Sequence, residues 1–347
     1  LTAQRRLSIT SFKTPFTFVT FTPIASTQLT SNRLFNMSAP CPDCFSGHVH
    51  TEIPTGTITT IHGLPTYVAQ PEAGVEPKGI VVIITDAFGW DFVNNRILSD
   101  HYAKKGGFLV YCPDFMDGSY PSSILSNLLT YLAGHAMDIS AMALFAAITT
   151  PASWSTTIFY KPFLVLKAMA TAIPWIIRTR RSICKPRIFS FFQALRTSTP
   201  PFPTNNLKIG TAGFCWGGQY VVMLAHDTPS SRVTRHSSQL SSSTIEPLID
   251  CGFTAHPSML SVPDDIEKIK VPISVAVGDT DMAMKAPLIQ QMNEILTVKM
   301  KGDHEVNIMP GAKHGFAIRH EPDDKKQTEF AEEAETQAIG WFTRWFT

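Results

Sequence analysis

Residues 213 to 218, Gly213-Phe214-Cys215-Trp216-Gly217-Gly218, set a cysteine between glycines, after the apolar run 207–212 and ahead of the helix-like stretch 219–226. A buried structural thiol needs no glycine on either side; a nucleophile presented on a tight turn does. Positions 213–217 match G-x-S-x-G with sulfur in place of oxygen. In such an elbow the nucleophile takes a strained turn between strand and helix, and small neighbours remove the clashes. The helix that follows directs its N-terminus at the sulfur, which favours thiolate.

A thiolate nucleophile needs a base, and the base needs an acid to orient it. Around an elbow of this kind they follow the nucleophile in the order acid, then histidine, each on a loop after a later strand. Asp281 ends Gly278-Asp279-Thr280-Asp281 after an apolar run, and His314 precedes Gly315 after another. Asp279 is a rival for the acid, but the G-x-x-D spacing favours Asp281. The candidate catalytic set is therefore Cys215, Asp281 and His314. An oxyanion formed on attack needs backbone donors: Trp216, next after the nucleophile, and one from the loop after an early strand, for which Ala87 is the candidate. Asp86 lies beside it, either as a turn or cap carboxylate or as a member of the site.

These residues need strands to carry them. Residues 79–85 are a continuous apolar run rich in β-branched residues, as expected of a strand buried on both faces. Strand patterns recur at 108–114, 207–214, 249–256, 271–279 and 304–310, with shorter β runs at 56–61 and 64–69. Helical patterns lie between them: at 94–106, after Gly218, near 284–298 and around 325–345. The alternation predicts a mostly parallel sheet with helices on both faces. Two segments break the rhythm. Residues 134–200 are apolar, basic and helical in character, which predicts a cap inserted between core strands. Residues 228–246 are serine-rich and predict a surface loop.

The 347-residue chain is 44% hydrophobic and 16% charged, which reads as globular. Its net charge of +1 gives no electrostatic case for nucleic acid. Between Asp138 and Asp227 there is no acidic residue, so the basic stretch there suits an anionic substrate, a weak interfacial contact with a membrane, or simply a solvated face. No uninterrupted apolar run reaches transmembrane length. Six cysteines in a chain this long point to free thiols in a reducing compartment, hence a cytoplasmic protein. Residues 1–36 lack Asp and Glu and are rich in Ser, Thr and basic residues, the composition of a mitochondrial transit peptide. They are expected to be a disordered leader or a spurious extension, with the domain proper spanning 37–347 and Met37 a plausible start. Cys41, Cys44, His48 and His50 form a C-x-x-C-x-x-x-H-x-H set, too tightly spaced for a structural zinc, and no metal is expected.

The motifs 41–50, 84–96, 111–118, 213–218, 255–258, 275–281 and 313–316 together resemble the dienelactone hydrolase family, in its fungal cytosolic branch, from about Met37 to the C-terminus. The resemblance implies an α/β-hydrolase fold without cofactor and a Cys-Asp-His triad at Cys215, Asp281 and His314. It also implies opening of a small ester or lactone, of anionic character in the bacterial members, through an acyl-enzyme. Those members have a glutamate after the early strand where this chain has the shorter Asp86. Arg319 is the nearest candidate for a substrate-binding arginine, Arg96 a weaker one, and Phe316 and Trp216 are candidates to line the pocket. A monomer or homodimer is expected. Two other readings stay open: a binding protein that kept the fold, and acyl transfer to an acceptor other than water.

Overall fold

The computed structural model describes residues 47–116, 137, 140–300 and 303–347. The leader expected at 1–36 lies outside them, as do Cys41 and Cys44.

The sheet grows from β3 (Ile80–Ile84), whose five β-branched residues are all fully buried. Only a strand covered on both faces can carry such a run. It pairs in parallel with β4 (Leu109–Pro113) on one side and β5 (Ile209–Phe214) on the other. Beyond β5 lie β8 (Cys251–Ala255), β9 (Ile273–Gly278) and β10 (Glu305–Met309), all parallel. Beyond β4 the direction changes: β2 (Leu64–Ala69) is antiparallel to β4, and β1 (Thr57–Ile61) is antiparallel to β2. The order is β1-β2-β4-β3-β5-β8-β9-β10, the arrangement of an α/β-hydrolase sheet. The antiparallel pair is the hairpin joined at His62 and Gly63, both at positive φ, as a two-residue hairpin turn requires.

Helix α1 (Val93–Gly106) ends at Gly107 in the left-handed region, which frees the chain to enter β4. It packs with the C-terminal helix α8 (Lys325–Phe346) on one face, where Phe342 meets Tyr102 and Phe108 at 6.3 and 6.0 Å. The segment expected as a cap contains α2 (Ser140–Thr149), α3 (Lys161–Arg178) and α4 (Arg181–Thr197). The last belongs to the core, with Ile188, Phe191, Phe192 and Leu195 buried on the face that α5 (Gly218–Ala225) also covers. The serine-rich stretch holds a small hairpin, β6 (Val233–Thr234) with β7 (Ile245–Glu246). Arg235 ties it down by pairing with Glu246 at 2.6 Å and with Asp250 at 3.2 Å. The remaining elements are α6 (Ala286–Glu294) and the short α7 (Phe316–Arg319).

Strand order reverses at β3. One connection leaves it toward β4, while β5 lies on its other side, the kind of switch point at which open α/β sheets bind ligands. The loops after β3, β5, β9 and β10 carry Asp86, Cys215, Asp281 and His314.

Candidate active site

Cys215 follows the last residue of β5 with φ of 50°, the left-handed region, in the tight turn Cys215–Gly217 that leads into α5. Its neighbours show why glycine is required. A Cβ on Gly217 would lie 2.0 Å from the Ile84 carbonyl oxygen, and one on Gly213 would lie 2.4 Å from a Val221 methyl carbon. The turn can therefore press against the end of β3 only without side chains there.

His314 Nδ1 bonds both Asp281 carboxylate oxygens, at 2.9 and 3.0 Å. Asp281 Oδ1 also accepts the Ala283 N–H at 2.7 Å, which fixes the carboxylate. The rival Asp279 points elsewhere, accepting the Gly311 N–H at 2.7 Å in an exposed position. Burial opposes a charged imidazole, but negative charge on Cys215 and Asp281, with their hydrogen bonds, outweighs it and holds His314 well above the ordinary histidine range. Nε2 has no nitrogen or oxygen partner, and the group that couples to the ring besides Asp281 is Cys215.

The other cysteines among the described residues are buried free thiols. Burial pushes Cys112 up to about 12 and Cys184 up to about 11, and it raises Cys251 too. Such thiols are poor nucleophiles.

Trp216 and Ala87, the expected oxyanion donors, directly follow Cys215 and Asp86 at the ends of β5 and β3. The Ala87 carbonyl accepts the Met137 N–H at 3.0 Å, which holds the loop. Asp86 is fully buried and forms an ion pair with Arg319, also fully buried. Its other oxygen accepts from Asn95 Nδ2 at 3.1 Å and from the Phe88 N–H at 3.2 Å. Burial raises the Asp86 pKa, Arg319 pulls it down, and negative charge on Cys215 raises it again. That coupling places Asp86 in the electrostatic field of the cysteine. Arg319, named as a substrate-binding candidate, thus has its guanidinium against Asp86 and stacked 5.2 Å from the Phe88 ring. Arg96 pairs with Asp91, bonds the Trp90 carbonyl at 3.1 Å and stacks on the Trp90 ring at 4.8 Å. Phe316 is buried between His256 and Phe330, and the Trp216 ring lies on Tyr220.

Two contributors were not assigned from sequence. Ser258 donates its N–H to the Cys215 carbonyl at 3.0 Å, and its Oγ lies 3.8 Å from Sγ. Asn95 braces Asp86. The signal for Ser258 was its place one residue beyond the His256-Pro257 strand end. His256 is completely buried, with neither ring nitrogen bonded, and sits edge-to-face against His314 at 5.0 Å. Burial, then the charges of His314 and Arg319, drive its pKa well below the usual value, which favours the neutral ring beside His314. Among the described residues no three His, Cys, Asp or Glu side chains stand in a metal-binding arrangement.

Residues 64–346 match the profile of the dienelactone hydrolase family. The chain belongs to that family. Membership places it among the carboxylic ester hydrolases. Two fungal relatives cover nearly all of it. The hydrolase pyvD of Aspergillus violaceofuscus is 23% identical over 88% of this chain and 97% of its own length. Dienlactone hydrolase 1 of Gibberella moniliformis is 24% identical over 87% of this chain and 92% of its own. The carboxymethylenebutenolidase homolog of Xenopus tropicalis is 22% identical over 89% and 98%. The crystal structure of a dienelactone hydrolase from Anabaena variabilis aligns over 84% of this chain and 99% of that one, with TM-score 0.43 and 13% identity. In this family member the match begins at β2 and takes in every strand-end loop that carries a candidate residue.

Proposed function

We propose that the protein hydrolyses a carboxylic ester or lactone through a thioester on Cys215. The observation that carries this reading is His314, held by Asp281 on one ring nitrogen and coupled to a cysteine at φ 50°. The Cys215 thiolate attacks the carbonyl carbon, forming the C–S bond, and the carbonyl electrons move to an oxygen held by the Trp216 and Ala87 N–H groups. Each such donor lowers the barrier by about 3 kcal/mol. Collapse breaks the C–O bond, and the leaving alkoxide takes the proton from His314 Nε2. His314 then removes a proton from water as the water oxygen attacks the thioester. The C–S bond breaks, the acid leaves, and the thiolate is restored. Asp281 keeps the Nδ1 proton in place and stabilises the imidazolium. With a lactone, alcohol and acid remain one molecule.

The test is Cys215→Ala with 4-nitrophenyl acetate. Loss of turnover in a variant with unchanged circular dichroism and melting, together with an acyl adduct on Cys215 in the quenched wild type, is the expected result. Undiminished turnover by the variant overturns the reading.

A further inference from the structure

Helix α3 buries one narrow stripe, Leu164, Ala168, Ala172 and Trp175, at helical spacing. Around the rest of its circumference Phe163, Leu166, Met169, Ile173 and Ile177 are 46–66% exposed. The turn before it adds Trp154, Phe159 and Tyr160, exposed at 75%, 76% and 55%. Single exposed apolar residues are ordinary, but a run of them along one helix and its leading turn marks a surface that meets something apolar.

Charge says what that is. Lys161 stands at the start of the helix, and Arg178, Arg180 and Arg181 at its end. Among the described residues none of the four has a carboxylate partner. Lys161 donates to the Thr150 carbonyl at 2.8 Å, Arg180 to the Ser182 hydroxyl at 3.1 Å, and Arg181 to the Gln219 side-chain oxygen at 2.7 Å. From 139 to 226 the chain has no acidic residue to neutralise them. An isologous pairing of this face with a second copy would bring cations against cations. A lipid surface with anionic headgroups offers an apolar interior and a negative rim, complementary to both features. No described helix is long and apolar enough to cross a membrane, so the fitting geometry is a helix lying in the interface plane.

We propose that the face formed by residues 154–177, with its flanking basic residues, docks the enzyme on anionic lipid surfaces. The site lies outside the catalytic set, so the docking does not depend on the ester chemistry.

The test is sedimentation of the full chain with vesicles of phosphatidylcholine alone or mixed with phosphatidylserine. Binding is expected to the mixed vesicles and to fall as salt rises. Arg178→Gln and Arg180→Gln each weaken it about fivefold on phosphatidylserine and leave phosphatidylcholine unaffected. Phe159→Ser/Phe163→Ser/Leu166→Ser, all exposed, lowers it at least about tenfold, with melting and soluble-ester hydrolysis unchanged. Cys215→Ala binds as wild type does, which separates this proposal from the catalytic one. Absence of binding to either vesicle, or full binding by the triple variant, overturns it. So does self-association that the triple variant abolishes while wild type ignores vesicles, because the face is then a contact between copies.

Discussion

Asp86 and Arg319 lie 233 residues apart in sequence and form an ion pair in which neither side chain touches solvent. One sits at the end of β3 and the other at the end of the helical turn that follows His314, so the pair ties the two sides of the candidate site together. The arginine's charge is spent inside the protein. Asn95 and the Phe88 N–H donate to the remaining carboxylate oxygen, so both oxygens of Asp86 are satisfied inside the protein.

Breaking that pair from one side should be costly. Asp86→Asn removes the carboxylate that faces a buried guanidinium and should destabilise by about 3–5 kcal/mol, as should Arg319→Met from the other side. The double variant should lose clearly less than the sum, because both charges leave together. Urea unfolding of the four proteins measures the coupling, and strict additivity would show that the pair does not act as a unit.

Asp281→Asn should separate structure from chemistry. Removing the carboxylate removes one of the negative charges that hold His314 above its ordinary range, and its imidazolium is then less favoured. A raised histidine pKa contributes stability that is complete below about pH 6.5 and is lost as pH rises through the folded value. The variant should therefore lose its His314 contribution at lower pH than wild type. Alkylation of Cys215 by iodoacetamide should need a higher pH, since less imidazolium is present to stabilise thiolate, and kcat should fall about 10³–10⁴-fold. Cys112, Cys184 and Cys251 should stay unlabelled in both proteins while folded. An unchanged alkylation profile in the variant would remove Asp281 from the site.

Glycine 217 should tolerate no side chain. Gly217→Ala puts a methyl 2.0 Å from the Ile84 carbonyl oxygen, against backbone that cannot rotate away. A loss of about 1–3 kcal/mol and a larger proportional loss of ester hydrolysis are expected. Gly340→Ala is the contrasting case. It lies in α8 with nothing within 4 Å of the added carbon, and it should gain up to about 1 kcal/mol. Thermal melts of the two variants should shift in opposite directions.

Much of the scaffold was legible because its signals are local. A β-branched run with no polar interruption, such as 80–84, is stable only where both faces are covered. A cysteine between glycines at a strand end is explained by the turn it must make. The order Cys215, Asp281, His314 was legible because each lies shortly after a separate apolar strand run. The serine-rich stretch at 228–246 read as a loop because composition shows no core face; the Arg235 tether to Asp250 depends on folding.

Tertiary structure decided the rest, wherever the answer depends on which residues meet across the fold. Asp279 and Asp281 are chemically alike and two residues apart, and only the path of the loop turns one onto His314 and the other onto the Gly311 N–H. Arg319 follows the histidine closely enough to suggest a substrate contact, yet it faces a carboxylate from the far end of the chain. The apolar stretch at 154–177 has the composition of a buried helix. Packing leaves it a single covered stripe, because α4 rather than α3 fills the space against the sheet. Local sequence determined the elements and the order of the candidate groups along the chain. Long-range packing determined which charges cancel, which stay exposed, and which side chains converge at one strand edge.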